Sequence, residues 1–134
     1  NYMFGIVGYI GNGSAKEVII DGLKKLEYRG YDSAGIALYI DGEVQVRKCT
    51  GRISNLELAA AEPEYDSHIG IGHTRWATHG APTDVNAHPH SNTEGTVAVV
   101  HNGIIENYAG LKQWLSRNMA FALCRKLIRK SLPI

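Results

Sequence analysis

The sequence predicts an α+β layered domain. Three observations lead there: short runs of small and β-branched residues stand at both ends of the helical stretches, the helical stretches carry start signals, and Asp41-Gly42 joins two runs as a two-residue hairpin would. GIVGYIG near the start reads as a buried strand. Behind it, Ser14 and Glu17 form a capping-box pair, and Val18, Ile19, Leu23 and Leu26 recur at helical spacing, with Gly30 placed to end that helix. AGIALYI and EVQVRK flank Asp41-Gly42, the strongest short-range hairpin signal. A second capping pair, Ser54 and Glu57, opens a short helix that Pro63 stops. HIGIGHTRWATHG reads as a strand running into a loop, and THGAPTDVNAHPHSNTEG as a long polar loop, a kind that in compact domains is usually functional. TVAVVHNGII is a further strand. NYAGLKQWL begins a helix with Leu111, Trp114 and Leu115 on one face.

A chain of 134 residues, 44% apolar and 20% charged, is long enough to bury a core. No stretch approaches the roughly 20 consecutive apolar residues of a membrane span, and no signal peptide is evident, so a cytoplasmic location is expected. Cys49 and Cys124 form neither a spaced metal pair nor a disulfide framework, which fits a reducing compartment. The net charge of +1 conceals an asymmetry: residues 1 to 106 hold 8 Lys+Arg and 13 Asp+Glu (8 − 13 = −5), whereas residues 107 to 134 hold 6 Lys+Arg and no acid (+6). A basic tail of this kind suggests nucleic acid or an acidic membrane. A shift of reading frame, developed below, is the duller explanation.

Some stretches are denser in chemistry than a structural role requires. HTRWATHG sets a cation, an indole, two hydroxyls and two imidazoles within residues 73 to 80. HNGIIENY places an amide and a glycine directly after a strand, and Asn102 with the Gly103 N–H would supply the two donors of an oxyanion hole. Arg75, in a strand-end loop, has the planar fork that grips a carboxylate at two points. A bland reading stands beside this one, in which Asn102-Gly103 is a turn, Trp76 is core and Arg75 is a surface charge. The histidines His73, His79, His88, His90 and His101 could be gathered into a metal site, but they lack a recognisable zinc spacing. Hydrogen-bonded loop histidines, with no metal, are the expectation. Cys49 is expected to be a small half-buried residue rather than a reactive thiol.

Taken in order, GIVGYIG, LEYRGYDSAGIA, HTRWATHG, NAHPH and HNGIIENY resemble the N-terminal glutaminase domain of the glutamine:fructose-6-phosphate aminotransferases, the glucosamine-6-phosphate synthases. The resemblance covers residues 3 to about 117. It implies a class II glutamine amidotransferase of the N-terminal-nucleophile (Ntn) hydrolase type, a four-layer α/β/β/α sandwich, here only its N-terminal half. In that family the first mature residue is a cysteine whose thiolate attacks the glutamine side-chain amide, its free α-amine acts as base, and the ammonia passes to a sugar-isomerising domain. No cofactor is implied. Carried over by motif, Asn102 and Gly103 would be the oxyanion donors and Arg75 would bind the glutamine α-carboxylate. Trp76, Thr78 and His79 would shape that pocket, with Trp76 in the loop that responds to the sugar site, and Arg29 would support the nucleophile's loop.

Two departures from the family pattern change the expectation. The nucleophile position is occupied by Phe4, preceded by Asn1-Tyr2-Met3. A phenyl ring has no lone pair to attack with, and an internal residue has no free amine, so the chain is expected to be inactive. If Met3 is the native start, it would also stay in place, because removal favours a small next residue. The second departure is LCRKLIRKSLPI, where the family carries a stretch like SETDTEVIAN whose aspartate grips the α-amino group of glutamine. Codons that encode Cys124 to Ile134, read from their third base, spell SETDTEVIAN, so residues 119–134 are expected to be a frameshifted basic tail following an amidotransferase segment over residues 1–118. With about half of the domain missing, the chain is expected to expose sheet edges, to be of low stability and to form homo-oligomers through those edges. A glutamine- or glutamate-binding pseudoenzyme is the alternative function, and a binder of nucleic acid or membrane through the tail is the reading set aside.

Overall fold

The computed structural model describes residues 4–61, 66–76, 83–84, 87–101, 103 and 105–118. In chain order the elements are β1 (Gly5–Ile10), α1 (Ala15–Lys25), a 3-10 turn (Glu27–Arg29), β2 (Ser33–Ile40), β3 (Glu43–Thr50), α2 (Ile53–Ala59), β4 (Ile69–Arg75), the two-residue strands β5 (His90–Ser91) and β6 (Ala98–Val99), and α3 (Tyr108–Asn118). Strands β1 to β4 form one antiparallel sheet in the order β1-β4-β2-β3, and β5 pairs with β6 as a separate ribbon. The α+β expectation holds, and the described residues supply one four-stranded sheet, a helix layer on one of its faces, and the small ribbon.

One face of the sheet carries the core. Ala34, Ile36 and Leu38 of β2 and Val7 and Tyr9 of β1 meet Ile19, Ile20 and Leu23 of α1 and Ile53 and Leu56 of α2. Ser14 caps α1 as its sequence implies, its hydroxyl accepting from the Glu17 N–H at 3.4 Å. The helix can lie this close because β4 presents glycine to it: a Cβ on Gly72 would stand 2.4 Å from Ile19 Cγ2. The β2–β3 hairpin turns at Asp41 (φ 50°) and Gly42 (φ 85°), the double left-handed conformation that such a dipeptide favours.

Several sequence expectations are corrected. Among the described residues GIVGYIG is an edge strand, and Ile6 and Ile10, on its face away from the helices, are exposed rather than buried. Helix α1 ends at Lys25, and Gly30 (φ 79°) instead closes the 3-10 turn. Ser54 lies inside α2, which begins at Ile53; the Ile53 N–H is satisfied from 22 residues away, by the Tyr31 hydroxyl at 2.7 Å. That helix stops at Ala59, before Pro63 is reached. Among the described residues of TVAVVHNGII, only Ala98 and Val99 enter a ladder. Helix α3 has no buried residue, and Leu111 and Trp114 on its apolar face are exposed.

Candidate functional site

The candidate residues gather on the sheet face opposite the helices. Alternation along a strand decides this: with Ala34 and Ile36 of β2 turned to the core, Ser33 and Gly35 face the other way, and with Gly72 of β4 against α1, His73 and Arg75 also face the other way. The registers place Ser33 opposite Arg75 and Gly35 opposite both His73 and Lys48. Gly5 pairs with Thr74, so Phe4, one step earlier, is level with Arg75 and diagonal to His73. The Phe4 and His73 rings stack with centroids 6.4 Å apart and planes 19° from parallel.

Three imidazoles continue from there. The His73 centroid is 4.9 Å from that of His88, and the His88 centroid is 4.4 Å from that of His90. His90 Nδ1 stands 3.4 Å from Lys48 Nζ. This segment can lie on the sheet because position 35 has no side chain: a Cβ there would stand 2.0 Å from the His88 carbonyl oxygen. Asn92 holds the following turn, its Oδ1 accepting from the N–H groups of Thr96 (2.9 Å) and Val97 (3.0 Å).

Burial sets the electrostatics. His73 is 1% exposed and neither ring nitrogen has a hydrogen-bond partner among the described residues, so it is neither the loop residue nor the hydrogen-bonded residue that the sequence suggests. Desolvation first, then the His88 and Arg75 charges, push its imidazolium down to about 3. The ring is therefore neutral at ordinary pH. Ser33 Oγ is likewise fully buried and without a partner. Arg75, 5% exposed, is no surface charge. Burial pushes its guanidinium below the ordinary value and the Asp32 carboxylate opposes that shift. Cys49 is buried on the helix side, where desolvation and the Asp84 charge raise its thiol to about 11 and leave it unreactive. No group of three His, Cys, Asp or Glu side chains among the described residues is arranged to hold a metal.

The other predicted residues are placed less tightly. Trp76 follows Arg75 at the strand end and is 41% exposed, so it is not core. Its indole covers Gly30, where a Cβ would stand 3.1 Å from Trp76 Cζ3. Arg29 lies near that contact in sequence but is itself exposed, with Nε donating to the Tyr28 hydroxyl at 3.1 Å and the guanidinium 5.6 Å from the Tyr28 ring centre. Gly103 is exposed beside the His101 imidazole. Asn102, Thr78 and His79 lie outside the described residues. Sequence reasoning missed Ser33 and Gly35. The signal was present, since SAG in β2 and HTR in β4 alternate in step once their pairing is known.

Chemically, the face offers a buried cation, a neutral imidazole and a hydroxyl around a phenyl ring. A carboxylate fits the cation, but no group at position 4 attacks a carbonyl.

No family model matches the chain. Among curated proteins it is 60% identical over 113 residues to the glutamine–fructose-6-phosphate aminotransferase of Clostridium acetobutylicum, 59% identical over 114 residues to that of Clostridium tetani, and 58% identical over 121 residues to that of Corynebacterium efficiens. These matches cover 84 to 85% of the chain but only 19% of each relative, so the chain spans about a fifth of their length. Among solved structures it superimposes on an allosteric regulatory enzyme of purine biosynthesis (TM-score 0.73, 28% identity, 88% of this chain and 26% of that one). It also superimposes on the glutamine phosphoribosylpyrophosphate amidotransferase of B. subtilis (TM-score 0.69, 26% identity, 92% of this chain and 27% of that one). The fold thus resembles that of Ntn-hydrolase glutamine amidotransferase domains, and the sequence relatives are glutamine–fructose-6-phosphate aminotransferases.

Proposed function

We propose that this chain, homologous to the N-terminal glutaminase portion of the glutamine–fructose-6-phosphate aminotransferases, is a glutamine site whose hydrolytic chemistry is disabled at residue 4. The observation that carries this reading is the position of Phe4 on the sheet face, level with Arg75, where the homologous enzymes would start their chain with the attacking thiol. Arg75 is the carboxylate anchor. It is buried and held at the end of a central strand, so a bidentate pair with an amino-acid carboxylate forms with little loss of side-chain freedom. Asn102 and the Gly103 N–H are the oxyanion donors, Trp76, Thr78 and His79 the pocket wall, and Arg29 the support of the loop beside it. Glutamine is the ligand, and the parent activity releases ammonia to a sugar-isomerising partner domain in hexosamine synthesis.

Loss of a covalent nucleophile costs a hydrolase on the order of a millionfold in turnover. The test is ammonia release from glutamine by this chain and by a variant that begins with cysteine at position 4. The chain itself should release none above the uncatalysed rate. Measurable turnover with Phe4 in place would overturn the assignment of that position.

A glutamine- or glutamate-binding role without hydrolysis is the second reading, favoured by the burial of Arg75. It is weakened by the acid-free segment after residue 106, which offers no carboxylate to the ligand's amino group. Calorimetric titration with glutamine and with glutamate decides it, and no heat with either discards it. Residues 119–134 we read as a frameshifted tail, and genomic codons for Cys124 to Ile134 that do not spell SETDTEVIAN in the second frame would reject this.

A further inference from the structure

Phe4 and His73 hold an unusual relation. A buried imidazole normally spends at least one ring nitrogen on a hydrogen bond, because stripping it of water without replacement is costly. His73 spends neither, although it is 1% exposed. One strand away and diagonal to it, Ser33 Oγ is in the same condition, fully buried with no partner. Two polar groups without a described partner, at neighbouring ladder positions on one sheet face, mark a place that suits hydrogen bonding and is closed to bulk solvent.

The lid over that place can be named. On the β4 side of His73 stands Arg75, and from the segment before β5 comes His88, with its ring 4.9 Å away. Among the described residues the other ring against His73 is that of Phe4, entering from the edge strand β1 and stacking on the imidazole. It is the one of these three without a side-chain polar atom to offer, and it precedes an edge strand.

We infer that the Phe4 ring is a plug: it closes the polar recess at His73, and shortening that one side chain admits water to the imidazole. It also explains how a neutral imidazole persists here. With Phe4 over it, His73 has no route to water, and the charged form has no solvation. The charged and titratable groups around it are Arg75 on its own strand, Asp32 beside Arg75, His88 and His90 on the covering segment, and Lys48 across the Gly35 gap. Removing the ring changes the solvation of His73 and leaves all of these in place.

The experiment is an NMR pH titration of the His73 ring protons in the full chain and in the series Phe4→Leu, Phe4→Val and Phe4→Ala, with the signal assigned by its loss in His73→Gln. In the parent chain His73 should not titrate between pH 5 and 8, a window fixed by the value of about 3 for the buried ring. Along the series its midpoint should climb in step with the carbon removed, toward but not reaching the ordinary value of about 6.5, because Arg75 and His88 still oppose the charge. Phe4→Leu keeps most of the volume and guards against a variant that merely fails to fold; if Phe4→Ala is unfolded, the Leu and Val members still order the effect. A His73 midpoint unchanged across the folded members overturns the plug, and shows that the His88 segment alone keeps the imidazole dry. So does a parent chain in which His73 already titrates near 6.5.

Discussion

Acidification should unfold this domain through His73, and the size of the effect can be worked out. The folded ring takes a proton only near pH 3, whereas in the unfolded chain it does so near 6.5. Above 6.5 both states hold the ring neutral, and it contributes no pH dependence. As pH falls from 6.5 toward 3 the unfolded state binds a proton that the folded state does not, so stability drops by about 1.4 kcal/mol per pH unit until the folded ring also protonates. Between pH 7 and pH 5 the loss from this residue comes to about 2 kcal/mol, and the full fall, 6.5 less 3 times that slope, to about 5 kcal/mol. Small domains are stable by only about 5–15 kcal/mol, so the smaller figure is already a large part of the total. Urea denaturation at pH 7 and pH 5, followed by far-ultraviolet circular dichroism, gives the difference directly. In His73→Gln the pH 7 to 5 loss should shrink by about 2 kcal/mol relative to the parent, whatever the variant does to stability at pH 7. Equal losses in the two proteins would refute the account of a neutral, desolvated imidazole.

Three further outcomes follow from the packing. Gly35→Ala drives a methyl into the His88 carbonyl, a backbone atom that has to be displaced, and should cost about 1–3 kcal/mol while shifting the His88 and His90 ring signals; unchanged ring signals would mean the segment does not lie on β2. Tyr31→Phe removes the hydroxyl that serves the Ile53 N–H and donates to Glu27, and should cost about 1 kcal/mol with faster amide exchange at Ile53; unaltered exchange there would show that the cap is made by something else. Leu23→Ala empties a fully buried site between α1 and the sheet and should cost about 2–5 kcal/mol in urea denaturation, and a loss below about 1 kcal/mol would mean that the site is not packed.

The sequence by itself determined what local physics controls. Ser14 capped α1 because its hydroxyl needs only the amide of Glu17, three residues on, and Asp41-Gly42 made the hairpin because those residue types tolerate positive φ. It also determined the character of the site, since HTRWATHG and HNGIIENY are too rich in polar function for plain strands, and that residue 4 is a phenylalanine with no lone pair to attack a carbonyl is known before any fold is. What it left open depends on partners distant along the chain. The start of α2 went to Ile53 rather than Ser54 because Tyr31, far upstream, satisfies its first amide. The face on which Arg75 lies follows from pairing with Ser33, and the bland alternative of a surface arginine failed only when β4 was found between β1 and β2 with Arg75 buried at its end. His73 went from a loop residue to a dry strand residue for the same reason. A strand's alternation tells which residues share a face, but only the register and the layer above that face decide which of them are deprived of water, and that deprivation sets the charge, the pH dependence and the reactivity of this site.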